Sequence, residues 1–358
     1  MHRFGLDSIC PGRILRRMRR VLVRTLLSLP RSWLVAVSGG KALTIDGRTL
    51  DPRLQFLGAM AKRQPSLASM QPEEARKAAA EGLALLDGEA AHDIDIADLL
   101  LPGVDGKSIH VRTYKPRLPN RLVPTLVYFH MGGCVIGDLE TCHVFCSQIA
   151  WRAGCLVVSV DYRLAPEHRF PAAVDDALAV FRWVRENARM IGGNPNVVAV
   201  GGDSAGGYLS AVVAQELKRS NEKLPVLQML IYPVVDWLSE TASMRAFGNA
   251  YPLTTPIMDY FRNLYFANPA QEGRDLRASP GLADDLAGLP PALIYTAGHD
   301  PLVDQGRDYA EALKIAGVPV LYRCYDSLSH AFTAMSGAVP AARAALNEIV
   351  ADLRRAIG

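Results

Sequence analysis

The sequence predicts an α/β fold: one mostly parallel central sheet with helices on both faces, plus an additional helical layer. Three observations carry this prediction. Apolar strand candidates alternate with amphipathic helical runs from about residue 108 onward, and strand–helix alternation of this kind buries both faces of a parallel sheet. One strand candidate runs directly into Gly202-Asp203-Ser204-Ala205-Gly206. Another ends in His130-Met131-Gly132-Gly133-Cys134. The chain of 358 residues is 49% apolar and shows no internal repeat or low-complexity linker, which fits one large unit with a smaller accessory region.

In chain order, residues 1–60 precede the alternation and are apolar, basic and interrupted by turns. Arg13, Arg16, Arg17, Arg19, Arg20 and Arg24 are interleaved with Leu15, Val21, Leu22, Val23, Leu26 and Leu27. This pattern suits a helix with a solvated arginine face, and a basic helix lying weakly on an anionic membrane surface is the second reading. Arg24 breaks the apolar run and no small-residue cleavage site follows, which argues against a secretory leader. No stretch is long and apolar enough to span a bilayer. The net charge is +3 with its excess in this segment, giving no support for nucleic-acid binding. Six cysteines without a disulfide framework fit a reducing cytoplasm. Cys142, His143 and Cys146 crowd one helical stretch with no partner cluster, so no metal site is predicted.

Strand candidates then fall at 108–114, 124–129, 156–160, 197–200, 226–232, 292–296 and 318–325, with helical runs at 171–187 and 305–315 between them. The core is expected over 61–237 and 271–358. Residues 238–270 interrupt it and carry Tyr251, Tyr260, Phe261, Tyr265 and Phe266. Phe261 and Tyr265, four residues apart, suit packing on one helix face.

Ser204 is the candidate nucleophile. A sharp strand-to-helix turn leaves no room for Cβ atoms, which explains Gly202 and Gly206, and it lifts the hydroxyl to a helix N-terminus that favours developing negative charge. The small residues Gly132 and Gly133 let a loop backbone approach a substrate oxygen, so their N–H groups and that of Ala205 are candidate oxyanion donors. Serine needs a base, and the base an orienting acid. Only His299 and His330 follow Ser204. Both stand in loops beyond the carboxyl ends of strand candidates, the end where open parallel sheets carry their sites. His330 has Asp300 before it in the required order, which makes it the better base. Asp304 is the competing acid but falls a turn into the next helix. His299 reads as a surface neighbour of the site, and His130 as a brace of the glycine loop. Asp203 reads as a polar anchor beside Ser204. With Met131 and Cys134 it is also a candidate for the substrate pocket, and Cys134 is expected to react with bulky thiol reagents at some cost in activity.

His130 to Cys134, Gly202 to Gly207, and Asp161-Tyr162-Arg163-Leu164-Ala165-Pro166-Glu167-His168 together resemble the hormone-sensitive-lipase-like esterases, the bacterial family IV carboxylesterases. The similarity runs from about residue 40 to the C-terminus. Asp300-Pro301-Leu302 resembles the family's acid motif and His330-Ala331-Phe332 its histidine loop. The resemblance implies an α/β-hydrolase fold, a helical cap made from residues 1–60 and 238–270, and a Ser204–His330–Asp300 triad needing no cofactor. It further implies an ion-pair lattice of Arg163, Glu167 and His168 around the site, and small uncharged esters of short to medium acyl chain as substrates. A homodimer is consistent with it. Met131 departs from the family pattern, occupying the place of the first glycine in an H-G-G-G run, and is expected to narrow the pocket. An amidase or acylamide deacetylase with the same triad, and a non-catalytic binding protein on the same fold, are the rival readings.

Overall fold

The structure is a computed structural model that describes residues 11–118 and 121–358, leaving the side chains of 11–17 and Asp105 outside the description. Its first part is helical: α1 (Pro11–Leu27), α2 (Arg31–Val37), α3 (Pro52–Ala61) and α4 (Pro72–Leu86). A short hairpin of β1 (Thr44–Ile45) and β2 (Arg48–Thr49) lies between α2 and α3. Local chemistry sets these starts. Proline occupies the first turn of α3 and α4, where no N–H is needed. The Asp51 carboxylate accepts from Arg53 N–H at 2.8 Å, and Glu73 and Glu74 complement the dipole of α4.

Eight strands form the main sheet: β3 (Ile94–Pro102), β4 (Ser108–Pro116), β5 (Val123–Phe129), β6 (Leu156–Asp161), β7 (Gly193–Asp203), β8 (Gln228–Ile231), β9 (Ala292–His299) and β10 (Val320–Ser329). Their spatial order is β10-β9-β8-β7-β5-β6-β4-β3. The β3–β4 and β4–β6 pairs are antiparallel and the other five are parallel, so the expected mostly parallel sheet is what forms. Its middle is buried on both sides, and every residue of β9 is buried, with an apolar run from Ala292 to Tyr295.

Alternate residues serve two cores. Leu126 and Tyr128 of β5 join one with α5 (His143–Ile149) residues Phe145 and Ile149. Val127 and Phe129 join the other with Phe181 of α6 (Ala172–Asn187) and Tyr208 of α7 (Ala205–Arg219). Each large side chain so buried contributes about 1.5–3 kcal/mol. Between β8 and β9 lie α8 (Ala242–Ala246), α9 (Thr255–Tyr265) and α10 (Pro269–Glu272). The chain closes with α11 (Val303–Ile315) before β10 and α12 (Pro340–Ile357) after it.

Two elements differ from the sequence reading. β3 was not expected: as an edge strand it is mostly exposed and lacks apolar alternation. The expected boundary at residue 60 falls inside α3, and the helical layer continues through α4, whose alanine-rich sequence resembles an ordinary core helix.

Candidate active site

Four loops meet at the carboxyl ends of the parallel strands. β5 delivers His130 and the glycine loop, β7 delivers Ser204, β9 delivers Asp300, and β10 delivers His330. Ser204 has φ 55° and ψ −115°, a left-handed backbone that a non-glycine residue holds only when its surroundings force it. The neighbours show what forces it. A Cβ on Gly206 would lie 1.9 Å from the Phe129 carbonyl oxygen, and one on Gly202 2.4 Å from the Gly206 carbonyl carbon.

The serine hydroxyl lies 2.9 Å from His330 Nε2, and His330 Nδ1 lies 2.7 Å from Asp300 Oδ2. A carboxylate only accepts, so Nδ1 carries the proton and Nε2 presents its lone pair to Ser204. The other Asp300 oxygen accepts from Leu302 N–H at 2.9 Å, which fixes the carboxylate plane. Asp300 is fully buried, and Ser204 and His330 keep a narrow opening to the cavity described below. Ala331 at φ 62° turns the chain after the histidine, and the Tyr232 ring packs 4.6 Å from the imidazole.

The glycine loop is held from several sides. Gly132 and Gly133 have φ 129° and 61°, and Cβ atoms there would meet the Ile136 carbonyl oxygen at 2.0 Å and the Phe261 ring at 2.4 Å. Among the described residues no acceptor takes up the N–H groups of Gly132, Gly133 or Ala205. Beneath the loop His130 Nδ1–H donates to the Met131 carbonyl at 2.7 Å, its ring stacks on Tyr162 at 4.3 Å, and Tyr162 O–H donates to the His130 carbonyl at 2.7 Å. Burial lowers the His130 pKa and keeps it neutral. Arg76 of α4 was missed by sequence reasoning. It donates to the carbonyls of Val135 and Ala165 at 2.8 Å and pairs with Glu167 at 2.6 Å, clamping the far end of the loop. No local signal marks it, since its partners lie more than fifty residues away.

Ser204, His330, Met131, Gly132 and Gly133 open into a cavity of about 2370 Å³ walled by α3, α4, the 237–262 segment and part of α1. Cys134 and Asp203 do not line this cavity. Cys134 is buried against Tyr265, and burial raises its thiol pKa far above the reactive range. Asp203 lies under the site and accepts from Tyr128, Tyr232 and Thr333 hydroxyls at 2.8–2.9 Å. His299 is buried rather than a surface residue, bonded through Nε2 to the Arg48 carbonyl at 3.1 Å. Asp304 faces Ser243 N–H at 2.7 Å and Arg307 at 2.8 Å, away from His330. Arg163 pairs with Asp176 at 2.8 Å, while Glu167 is exposed and pairs with Arg76 at 2.6 Å. Arg13, Arg16 and Arg17 have side chains outside the description. Among the described residues no cluster of His, Cys, Asp or Glu is arranged to hold a metal ion, and no helix is long and apolar enough to cross a membrane.

A family model described as the alpha/beta hydrolase fold matches residues 126–334. The carboxylic ester hydrolase LipN of Mycobacterium tuberculosis is 41% identical over 326 residues, covering 89% of this chain and 86% of its own. The ethyl acetate hydrolase of Pseudomonas putida is 37% identical over 290 residues, 80% of this chain and 91% of its own. Among solved structures, the ester-hydrolase EH1AB1 from the metagenome of Lake Arreo superposes with a TM-score of 0.82. It is 39% identical, with 86% of this chain and 98% of that one covered.

Proposed function

The chain belongs to the α/β-hydrolase family, in its hormone-sensitive-lipase-like carboxylesterase branch, and is a carboxylic ester hydrolase; on that premise we propose that it works through Ser204, His330 and Asp300. Ser204 Oγ attacks the ester carbonyl carbon while His330 Nε2 takes the hydroxyl proton. Asp300 holds the Nδ1 proton in place and stabilises the imidazolium. The N–H groups of Gly132, Gly133 and Ala205 receive the negative charge that gathers on the carbonyl oxygen. The alcohol leaves with the proton from Nε2, and water, deprotonated by the same nitrogen, releases the acid from the acyl-enzyme. The observation that carries this reading is the unbroken chain of bonds at 2.9 and 2.7 Å from Ser204 through His330 to Asp300, opening into the cavity.

The substrates are uncharged esters of short to medium acyl chain. Met131 and Phe261 wall the cavity beside the oxyanion glycines, which disfavours a bulky acyl group there. The helices α1 to α4 with α8 and α9 act as a cap over the site. Hydrolysis of a p-nitrophenyl acyl series from acetyl to palmitoyl tests both parts. Wild type should be fastest on the short chains, and Ser204→Ala should lose about 10⁴-fold or more of kcat with the fold intact. Undiminished turnover in Ser204→Ala would remove the triad, and a maximum at palmitoyl would remove the acyl-length assignment.

A further inference from the structure

Two of the α1 arginines depart from the solvated arginine face that the sequence suggests, while Arg19 keeps to it. Arg20 and Arg24 point inward, donating to the main-chain carbonyls of Asp87 and Gly88 after α4. Met18, Val21 and Leu22 stand outward at 64, 58 and 60% exposure, and their i, i+3, i+4 spacing puts them on one stripe. The next helix carries a second exposed pair, Trp33 and Val37, four residues apart. Isolated apolar residues on a surface need no explanation, but a concentration over two successive helices does.

Charge supplies an independent observation. Residues 8–45 contain eight Lys and Arg and no Asp or Glu, so the net +3 of the chain is a +8 segment joined to a remainder of net −5. Position supplies a third. Arg19, Leu22, Lys41 and Leu43, all exposed, also line the cavity that reaches Ser204 and His330, so the segment borders its opening.

We propose that residues 18–43 are a docking face for an anionic lipid surface, holding the mouth of the cavity against it. The exposed stripe of α1 and Trp33 enter the headgroup region, and the exposed cations Arg19, Arg31 and Lys41 meet lipid charge. A second copy of the chain fits this face poorly, because a two-fold contact would set one strongly cationic segment against its twin. Docking here lets an ester dissolved in the lipid reach Ser204 without crossing water.

The test is co-sedimentation of the full chain with phosphatidylcholine vesicles, with and without phosphatidylglycerol. It uses Val21→Ser/Trp33→Ser, Arg31→Glu and Arg31→Lys, none of which touches the cavity, and hydrolysis of soluble p-nitrophenyl acetate reports the fold. Wild type should bind the phosphatidylglycerol vesicles and release them as salt rises. Arg31→Glu and the apolar double variant should each weaken binding by about tenfold, Arg31→Lys should bind like wild type, and acetate hydrolysis should be unchanged throughout. Absence of binding, equal wild-type binding to both vesicle types, or equal binding by Arg31→Glu and Arg31→Lys overturns the proposal. So does a dimer abolished by Val21→Ser/Trp33→Ser in protein that ignores vesicles, which assigns the face to a second copy.

Discussion

At Ser204 the local rules of backbone geometry are broken, and the residues around it explain how the break is maintained. Its positive φ is held by the close approach of Gly206 to the Phe129 carbonyl and by the Ser204 N–H bond to the Ile231 carbonyl at 2.8 Å. Asp203 extends the support. Its carboxylate collects three hydroxyls from β5, from the end of β8 and from the loop after His330, and burial raises its pKa against their pull. Asp203→Ala leaves those hydroxyls without their acceptor and is expected to cost about 3 kcal/mol or more of stability and to lower kcat. Calorimetry with steady-state kinetics checks this, and an unchanged Tm would contradict the anchoring role. Met131 is nearly buried and belongs to both the core and the cavity wall. Met131→Gly should admit bulkier esters while losing about 2–5 kcal/mol of stability, so an unchanged substrate profile would remove it from the pocket. Cys134 should resist thiol reagents in the folded protein, which mass spectrometry after labelling would reveal. Ser204, Asp300 and His330 were legible because motif glycines and chain order mark them locally. Arg76 and Tyr232 were not, because each reaches the site from a distant segment through packing that no spacing encodes.

At the scale of elements, the C-terminal end of α4 carries a titratable joint. Burial pushes the Asp87 carboxyl pKa up to about 6, against the pull of the Gly88 N–H, the Ser336 hydroxyl and the cations of Arg20 and Arg24. Between about pH 4 and pH 6 the folded protein therefore holds a proton that the unfolded chain has released, and this contribution to stability declines as pH rises through that window. Asp87→Asn keeps an acceptor oxygen and removes the buried charge. Its Tm should rise relative to wild type from about pH 4 to about pH 6 and stay at a constant advantage above that. An advantage that shrinks as pH rises would contradict the burial argument. The buried strands, α6 and α11 were legible from apolar runs and amphipathic spacing, and the start of α7 from the strand-to-helix turn at Ser204. β3 was not, since an exposed edge strand is fixed by its antiparallel partner β4 and not by its own pattern. The orientation of α1 was also hidden. Arg20 and Arg24 look like part of a solvent face until the carbonyls of Asp87 and Gly88 are placed beside them.

For the whole molecule, one sheet carries the chemistry and the helices before β3 and between β8 and β9 wall the cavity over it. The fold class was readable because burial of both sheet faces writes itself into alternating apolar segments. The cavity was not, because it is made of space between elements far apart in sequence. Burial lowers the pKa of both His130 and His299, so neither takes up a proton ahead of an ordinary imidazole. An acid limb of kcat/KM should therefore be retained in full by His130→Gln and by His299→Gln, and its loss in either variant would contradict this. The triad is tested most directly by trapping the nucleophile with an activated alkyl phosphonate ester and locating the adduct by peptide mass spectrometry. A single adduct on Ser204 is expected, forming in step with loss of esterase activity and slowing sharply in His330→Ala. Loss of activity with Ser204 unmodified, or modification of Ser204 at full rate without His330, would contradict it.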